Sequence, residues 1–113
     1  MENKNFLERA EGLFRYCLET METKGLEYMA GDNDRFSNFK RISRKYNVPT
    51  ELVCAIYMEK HLDSITNFIR LRYCGNKAKD IELTEPISGR ITDAINYLAL
   101  LEGIISEEAE NES

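Results

Sequence analysis

The 113-residue sequence contains no tryptophan, only one histidine and only three cysteines. Cys17, Cys54 and Cys74 are odd in number and have no CxxC spacing, so they do not predict a secreted disulfide scaffold. A zinc site would need more nitrogen or sulfur ligands than His61 and these scattered thiols supply. We therefore expect reduced thiols, with Cys17 in the core.

Long apolar runs are also missing. The longest contain only a few residues, whereas about 20 are needed to cross a bilayer. The first ten residues, "MENKNFLERA", lack the apolar stretch of a signal peptide. These patterns predict a soluble cytoplasmic protein without a membrane partner.

Charge is distributed unevenly along the chain, whose formal net charge is −5. The last eight residues, "SEEAENES", carry four acids and no base, which leaves 16 of the 20 acids against 15 bases elsewhere. The length fits one domain with one core. We predict a helical domain over residues 1–105 and a flexible acidic tail over residues 106–113.

Apolar residues recur three and four positions apart in four segments, a pattern typical of amphipathic helices. The first stripe contains Phe6, Ala10, Leu13, Cys17 and Met21; the second contains Phe36, Phe39, Ser43 and Tyr46; the third contains Ala55, Met58, Leu62, Ile65 and Ile69; the fourth contains Ile87, Ile91, Ala94, Leu98, Leu101 and Ile105.

Turn and cap residues separate these stripes. Gly25 is expected to end the first helix, and residues 32–34 offer a cap for the second. The third should begin at Thr50 after Pro49 and end near Tyr73, and the fourth should begin around residues 84–86. No strand is required. We predict an all-α, single-domain bundle of about four amphipathic helices.

Polar residues border the stripe of the third helix. Glu59 and Asp63 form an i, i+4 carboxylate pair, which suits a divalent cation if another helix adds oxygen ligands. A solvated helix edge is the alternative. Beside them, Lys60 supplies a cation, and His61 fits a packed residue or a ligand donor better than a catalyst.

The fourth helix presents a second polar set. Arg90, Asp93 and Tyr97 follow at i, i+3 and i+7, with Asn96 one step further round the helix. A guanidinium, a carboxylate, an amide and a phenol can together bind a planar or phosphorylated ligand. Alternatively, and compatibly, Arg90 and Asp93 form ion pairs that tie helices together.

The segment "GDNDRFSNFKRISRKYN", residues 31–47, concentrates positive charge. Arg35 is expected in the first turn of a helix, where free N–H groups and the helix dipole attract anions, and Asn38 follows one turn later. Nucleic-acid binding is disfavoured by the sequence pI of about 5.0. The remaining bases are expected on a solvated outer face: Lys40, Arg41, Arg44 and Lys45.

Three segments in this order, "DRFSNF", "KHLDSI" and "EPISGRITDAINYL", resemble those of small, mostly uncharacterised phage and prophage helical proteins. The resemblance spans roughly residues 24–105. It implies a phage-related origin, a shared polar site and, if the chain is phage-encoded, a location in the host cytoplasm.

A weaker resemblance links "RITDAINYL" to the MazG-like all-α nucleoside triphosphate pyrophosphohydrolases, whose last core helix often reads ExxDxxNYL. Those enzymes bind Mg²⁺ through carboxylates on neighbouring helices. Here Asp93 is kept, but Arg90 replaces the glutamate, and a guanidinium repels a cation while attracting phosphate.

Our leading hypothesis is a homo-oligomeric protein that binds a phosphorylated nucleotide-type ligand without a cofactor or catalytic residue. A phage-encoded sponge that sequesters a host immune signal, such as a cyclic nucleotide or a cyclic ADP-ribose derivative, is the role suggested by analogy. Each predicted ligand residue is assigned one part of the nucleotide. Phosphate is contacted by Arg35, Lys60, His61 and Arg90; ribose or base is hydrogen-bonded by Asn38, Asp63, Asp93 and Asn96; and the base stacks on Phe36, Phe39 or Tyr97.

Two alternatives remain at this point. The first is a divergent MazG-like pyrophosphohydrolase in which Glu59, Asp63 and Asp93 hold Mg²⁺ and water attacks the α-phosphate. The second is a protein-interaction module whose basic second helix docks on an acidic partner.

Overall fold

A computed structural model describes residues 1–28, 33–83 and 85–112, without the side chains of residues 26–28. In these residues the chain forms four α-helices, α1 (Asn3–Tyr28), α2 (Ser37–Tyr46), α3 (Thr50–Tyr73) and α4 (Ile87–Glu112), and one 3-10 turn at Ala78–Asp80. No strand occurs among them. The prediction of an all-α, single-domain bundle is confirmed. None of the described helices combines the length and apolarity that crossing a bilayer requires.

The limits of α2 and α3 agree with the sequence patterns. The Asp34 carboxylate accepts a hydrogen bond from the Phe36 N–H at 2.9 Å just before α2. At the other end Asn47 adopts a left-handed conformation with φ of 53°, and its N–H bonds to the Ser43 carbonyl, which terminates the helix. Pro49 then fixes the extended entry into α3.

The outer limits of α1 and α4 differ from the predictions. Gly25 does not end α1; it is buried, and a Cβ atom there would lie in ordinary van der Waals contact with the Arg35 guanidinium carbon, at 3.6 Å. Helix α4 begins at Ile87 after Pro86 and continues through the predicted tail to Glu112. Thr84, Asp32 and residues 29–31 lie outside the described part of the chain.

The interior lies where α1, α3 and α4 meet. Helices α3 and α4 run antiparallel, since Glu51 interacts with Glu108 at one end and the Cys54 thiol contacts the Tyr97 carbonyl further along. Helix α1 lies across α4, where Cys17 is close to Thr92 and Lys24 to Asp93. The buried apolar side chains are Cys17, Val53, Cys54, Met58, Ala94 and Ile104.

The three cysteines are free, as predicted. Cys17 is buried in the core, and burial raises the pKa of both the Cys17 and the Cys54 thiols. Both groups are therefore protonated near neutral pH, where they pack as small apolar residues.

The predicted apolar stripes are only partly covered in the structure. Phe6 of α1 is 54% exposed, Ile69 of α3 is 61% exposed, and Leu98 of α4 is 53% exposed. The described helices therefore bury only some residues of these stripes.

A substitution at Gly103 of α4 tests the packing of Phe36 against this helix. A Cβ atom at this position would come within 2.8 Å of the Phe36 ring, whereas nothing lies within 4 Å of a Cβ atom at Gly12. We expect Gly103→Gln to lower the free energy of unfolding by about 1–3 kcal/mol through overpacking. The matched Gly12→Gln variant should raise it by up to about 1 kcal/mol through helix propensity. Urea denaturation measures both, and equal effects would contradict this account of Phe36.

Candidate functional site

A cavity of about 450 Å³ opens between the helices, within the range typical of small-molecule sites. Nine of the eleven residues predicted to bind a ligand line it. They are Arg35, Asn38, Phe39, Lys60, His61, Arg90, Asp93, Asn96 and Tyr97.

Helix periodicity explains how these residues converge. On α4 the lining positions Arg90, Asp93 and Tyr97 are spaced by three and seven residues, so they lie on one face. On α3 the adjacent Lys60 and His61 face the same opening. Arg35 lies just before α2, and Asn38 lies in its first turn, so the chain reaches the cavity from a third direction.

The charges around the cavity are mainly positive. Lys24, Arg35, Lys60 and Arg90 line it together with two carboxylates, those of Glu85 and Asp93. This excess of two positive charges stands in a chain whose formal charge is −5. A partly enclosed surface with an excess of one sign raises the local concentration of ions of the opposite sign, so the cavity favours anions.

Asp93 lies at the centre of the polar contacts. Its carboxylate accepts a hydrogen bond from Lys24 Nζ at 3.1 Å, and its other oxygen lies 3.6 Å from His61 Nδ1. Arg90 Nε lies 3.9 Å from a Glu85 carboxylate oxygen, at the limit of an ion pair. Within the described part of the chain, Arg35 and Lys60 form no ion pair, so their charges face the cavity without a carboxylate partner.

Two buried polar side chains at the cavity have atoms without hydrogen-bond partners in the described structure. They are Asn96, 7% exposed, through Oδ1, and His61, 5% exposed, through Nδ1, because 3.6 Å to Asp93 is too long for a hydrogen bond. A buried group of this kind costs about 1–3 kcal/mol when it stays unsatisfied. A bound polar ligand would remove that cost.

Aromatic rings form one wall of the cavity. The centroids of Phe39 and Tyr57 are 5.8 Å apart, those of Phe39 and Tyr97 are 6.5 Å apart, and the His61 ring is 5.3 Å from that of Tyr97. Rings at such separations pack in tilted arrangements. The wall offers flat apolar surface directly beside the cationic groups.

Burial lowers the pKa of His61 below its ordinary value, and the nearby Lys60 and Arg90 charges act in the same direction. The Asp93 and Glu85 carboxylates favour the imidazolium but do not offset these effects. The ring is therefore neutral near pH 7, with one nitrogen able to donate a hydrogen bond and the other able to accept one.

The two remaining predicted ligand residues lie elsewhere. Phe36 packs against Gly103 of α4, and Asp63 is exposed. Glu59, assigned to Mg²⁺ in the enzymatic alternative, is also exposed. Along α3, Glu59 and Asp63 are each rotated by about 160° from His61, so they point away from the cavity.

The basic residues of the segment 31–47 differ in their surroundings. Arg41, Arg44 and Lys45 are exposed on the outer face, as predicted. Lys40 was wrongly assigned to that face, since its ammonium donates hydrogen bonds to Asp34 and to Glu107 of α4. These two carboxylates raise the pKa of Lys40, and the contact ties α2 to α4.

Five lining residues were not identified from the sequence. Tyr57 precedes Lys60 and His61 by three and four positions, so helical spacing alone indicates it. Lys24 gives no such signal, because its role depends on where α1 crosses α4. The others that line the cavity are Met21, Glu85 and Leu100.

No protein-family model, curated protein or solved structure matches this chain.

The depressed pKa of His61 predicts a pH dependence of stability. Below about pH 6.5 the unfolded chain takes up a proton at this position more readily than the folded one. The free energy of unfolding should therefore fall as the pH is lowered from about 7.5 to about 5.5. Urea titrations across this range measure the slope. His61→Gln, which does not titrate, should show a smaller slope, and an unchanged slope would refute the assignment to His61.

Proposed function

We propose that the cavity binds a phosphorylated nucleotide-type ligand without hydrolysing it. The observation that carries this proposal is the convergence of four cationic side chains on one cavity beside an aromatic wall and a buried, unsatisfied amide. Each feature suits a different part of a nucleotide.

The cations suit the phosphate. Arg35 and Lys60 have no carboxylate partner in the described structure. The ion pair between Arg90 Nε and the Glu85 carboxylate is long, at 3.9 Å. Arginine binds phosphate oxygens through paired hydrogen bonds, and lysine adds a point charge. A phosphate here would offset the positive excess of the cavity.

The aromatic wall and the neighbouring amides suit the base and sugar. A base can pack against the aromatic wall of Phe39, Tyr57 and Tyr97. Asn96 Oδ1 is a buried acceptor that needs a donor, such as an exocyclic amine or a ribose hydroxyl. Asn38 supplies a further amide at the opening.

The carboxylate arrangement supports binding over metal-dependent hydrolysis. The MazG-like alternative requires Glu59 and Asp63 to join Asp93 around Mg²⁺, and both point away from the cavity. In the described residues no three histidine, cysteine or acidic side chains are grouped as a metal site would require. Arg90 moreover places a positive charge on the same face as Asp93, which opposes a cation there.

The biological role in this proposal rests on the resemblance to phage proteins. A protein that binds a nucleotide tightly and leaves it intact lowers the free concentration of that nucleotide. Sequestration of a host immune signal of the cyclic nucleotide or cyclic ADP-ribose type is the role that we propose for such binding.

A nucleotide panel tests the proposal directly. Isothermal titration calorimetry with linear and cyclic nucleotides, each with and without Mg²⁺, should detect binding by at least one of them, and chromatography of the mixture should recover that nucleotide unchanged. Release of pyrophosphate that is lost in Asp93→Asn would instead favour the enzyme. No binding by any member of the panel would favour the interaction module.

Matched arginine variants locate the bound nucleotide. Arg90→Gln should weaken binding by about 10–100-fold, as expected for the loss of a hydrogen bond to a charged group. Arg44→Gln removes the same charge from the exposed face of α2 and should bind as the wild type does. Lys60→Gln, at an exposed position on the cavity rim, gives a second test if Arg90→Gln folds poorly. Equal affinities for all four proteins would place the ligand elsewhere.

A further inference from the structure

The molecule exposes far more surface than a compact monomer of its mass. Its solvent-accessible surface is 8455 Å², whereas a folded monomer of 13.1 kDa exposes about 6,400 Å². Its radius of gyration is 16.8 Å, against about 13 Å for a compact chain of this length. The helices therefore leave apolar surface that a single copy does not cover.

A regular part of this surface lies on α3 and α4. Each helix carries three apolar residues at intervals of seven, and we call these six residues the heptad face. They are Ala55, Leu62 and Ile69 of α3 and Ile91, Leu98 and Ile105 of α4. All six are at least partly exposed, with Leu98 at 53% and Ile69 at 61%.

The heptad face alternates with residues that pack inside the hairpin. Met58 on α3 and Ala94 on α4 lie between heptad positions and are buried. Apolar residues at alternating intervals of three and four form the a and d positions of helices in bundles, where both sets are covered. Here one set is covered by the neighbouring helix and the other set is exposed.

The two stripes lie on the same side of the α3–α4 hairpin. Each stripe is rotated by about 60–80° in the same sense from the line of contact between the two helices. Because the helices are antiparallel, this places both stripes on one side. The cavity residues, such as His61 and Asn96, are rotated in the opposite sense, so the cavity and the helices α1 and α2 occupy the other side.

We propose that the protein is a homodimer in which two copies of the heptad face pack against each other to form an intermolecular four-helix bundle. A two-fold axis makes one face complementary to itself, which suits a surface formed by two equivalent stripes. None of the six residues is charged, so no charge of the face is buried without a partner.

The surface excess is consistent with a second copy as the occupant. About 2,000 Å² per chain exceeds the monomer expectation, and an obligate homodimer buries about 2,000–5,000 Å² in total over both chains. Because the cavity lies on the opposite side of the hairpin, each copy keeps its own opening. The dimer is thus independent of the proposed ligand and can be tested without it.

Analytical ultracentrifugation of the wild-type protein at micromolar concentration should give twice the chain mass of 13.1 kDa. Leu98→Lys places a charge in the centre of the heptad face and should halve the measured mass. Leu18→Lys makes the same change on α1, where the leucine is 59% exposed, and should leave the dimer intact. Far-UV circular dichroism checks that the helices persist, and Ile105→Lys is a second variant if Leu98→Lys unfolds.

A wild-type mass other than that of two chains would overturn the proposal. So would a dimer that survives Leu98→Lys and Ile105→Lys while both remain folded. Dissociation by Leu18→Lys alone would assign the interface to α1 and equally exclude the heptad face.

Discussion

The antiparallel packing of α3 against α4 is the constraint on which the rest of the structure depends. Cys54 against the Tyr97 carbonyl and Glu51 beside Glu108 set how far one helix is shifted along the other. That shift brings His61 to Asp93 and to the Tyr97 ring. It also decides which side of each apolar stripe is buried. A shift by one turn, about 5.4 Å, would separate the polar groups of the cavity and realign the heptad positions.

Asp93 offsets part of the positive charge of the cavity. It is one of two carboxylates among four cationic side chains, and it accepts a hydrogen bond from Lys24 while lying close to the neutral His61. The neighbouring Asn96 and His61 are buried with unsatisfied atoms, which opposes folding. Local costs of this kind are typical of functional sites, where a ligand supplies the missing partners. The cavity thus combines an excess of positive charge with buried atoms that lack hydrogen-bond partners. An anion that also carries hydrogen-bond donors would neutralise the charge and supply partners.

The hairpin has two sides of opposite character. One side carries charged, amide and aromatic groups and is partly covered by α1 and α2. The other carries the uncharged heptad face, whose residues are at least partly exposed in a single copy. The small set of buried apolar residues fits this division, since only six apolar side chains are buried among the residues that the structure describes. In the proposed dimer the second copy would complete the apolar packing, while the polar side would stay open to solvent and ligand.

The number and class of the helices and the limits of α2 and α3 followed from local patterns, because three- and four-residue spacing, Pro49 and Asn47 act through neighbouring residues. Nine cavity residues were also foreseeable, since a helix places residues such as Arg90, Asp93 and Tyr97 on one face whatever it packs against. Tertiary structure decided what depends on contacts distant in sequence. The crossing of α1 over α4 brings Lys24 to Asp93, the tertiary packing buries Gly25 beside Arg35, and the rotation of α3 directs Asp63 to solvent. A periodic stripe shows that a face is apolar, but only the positions of the other helices decide whether the same chain covers it.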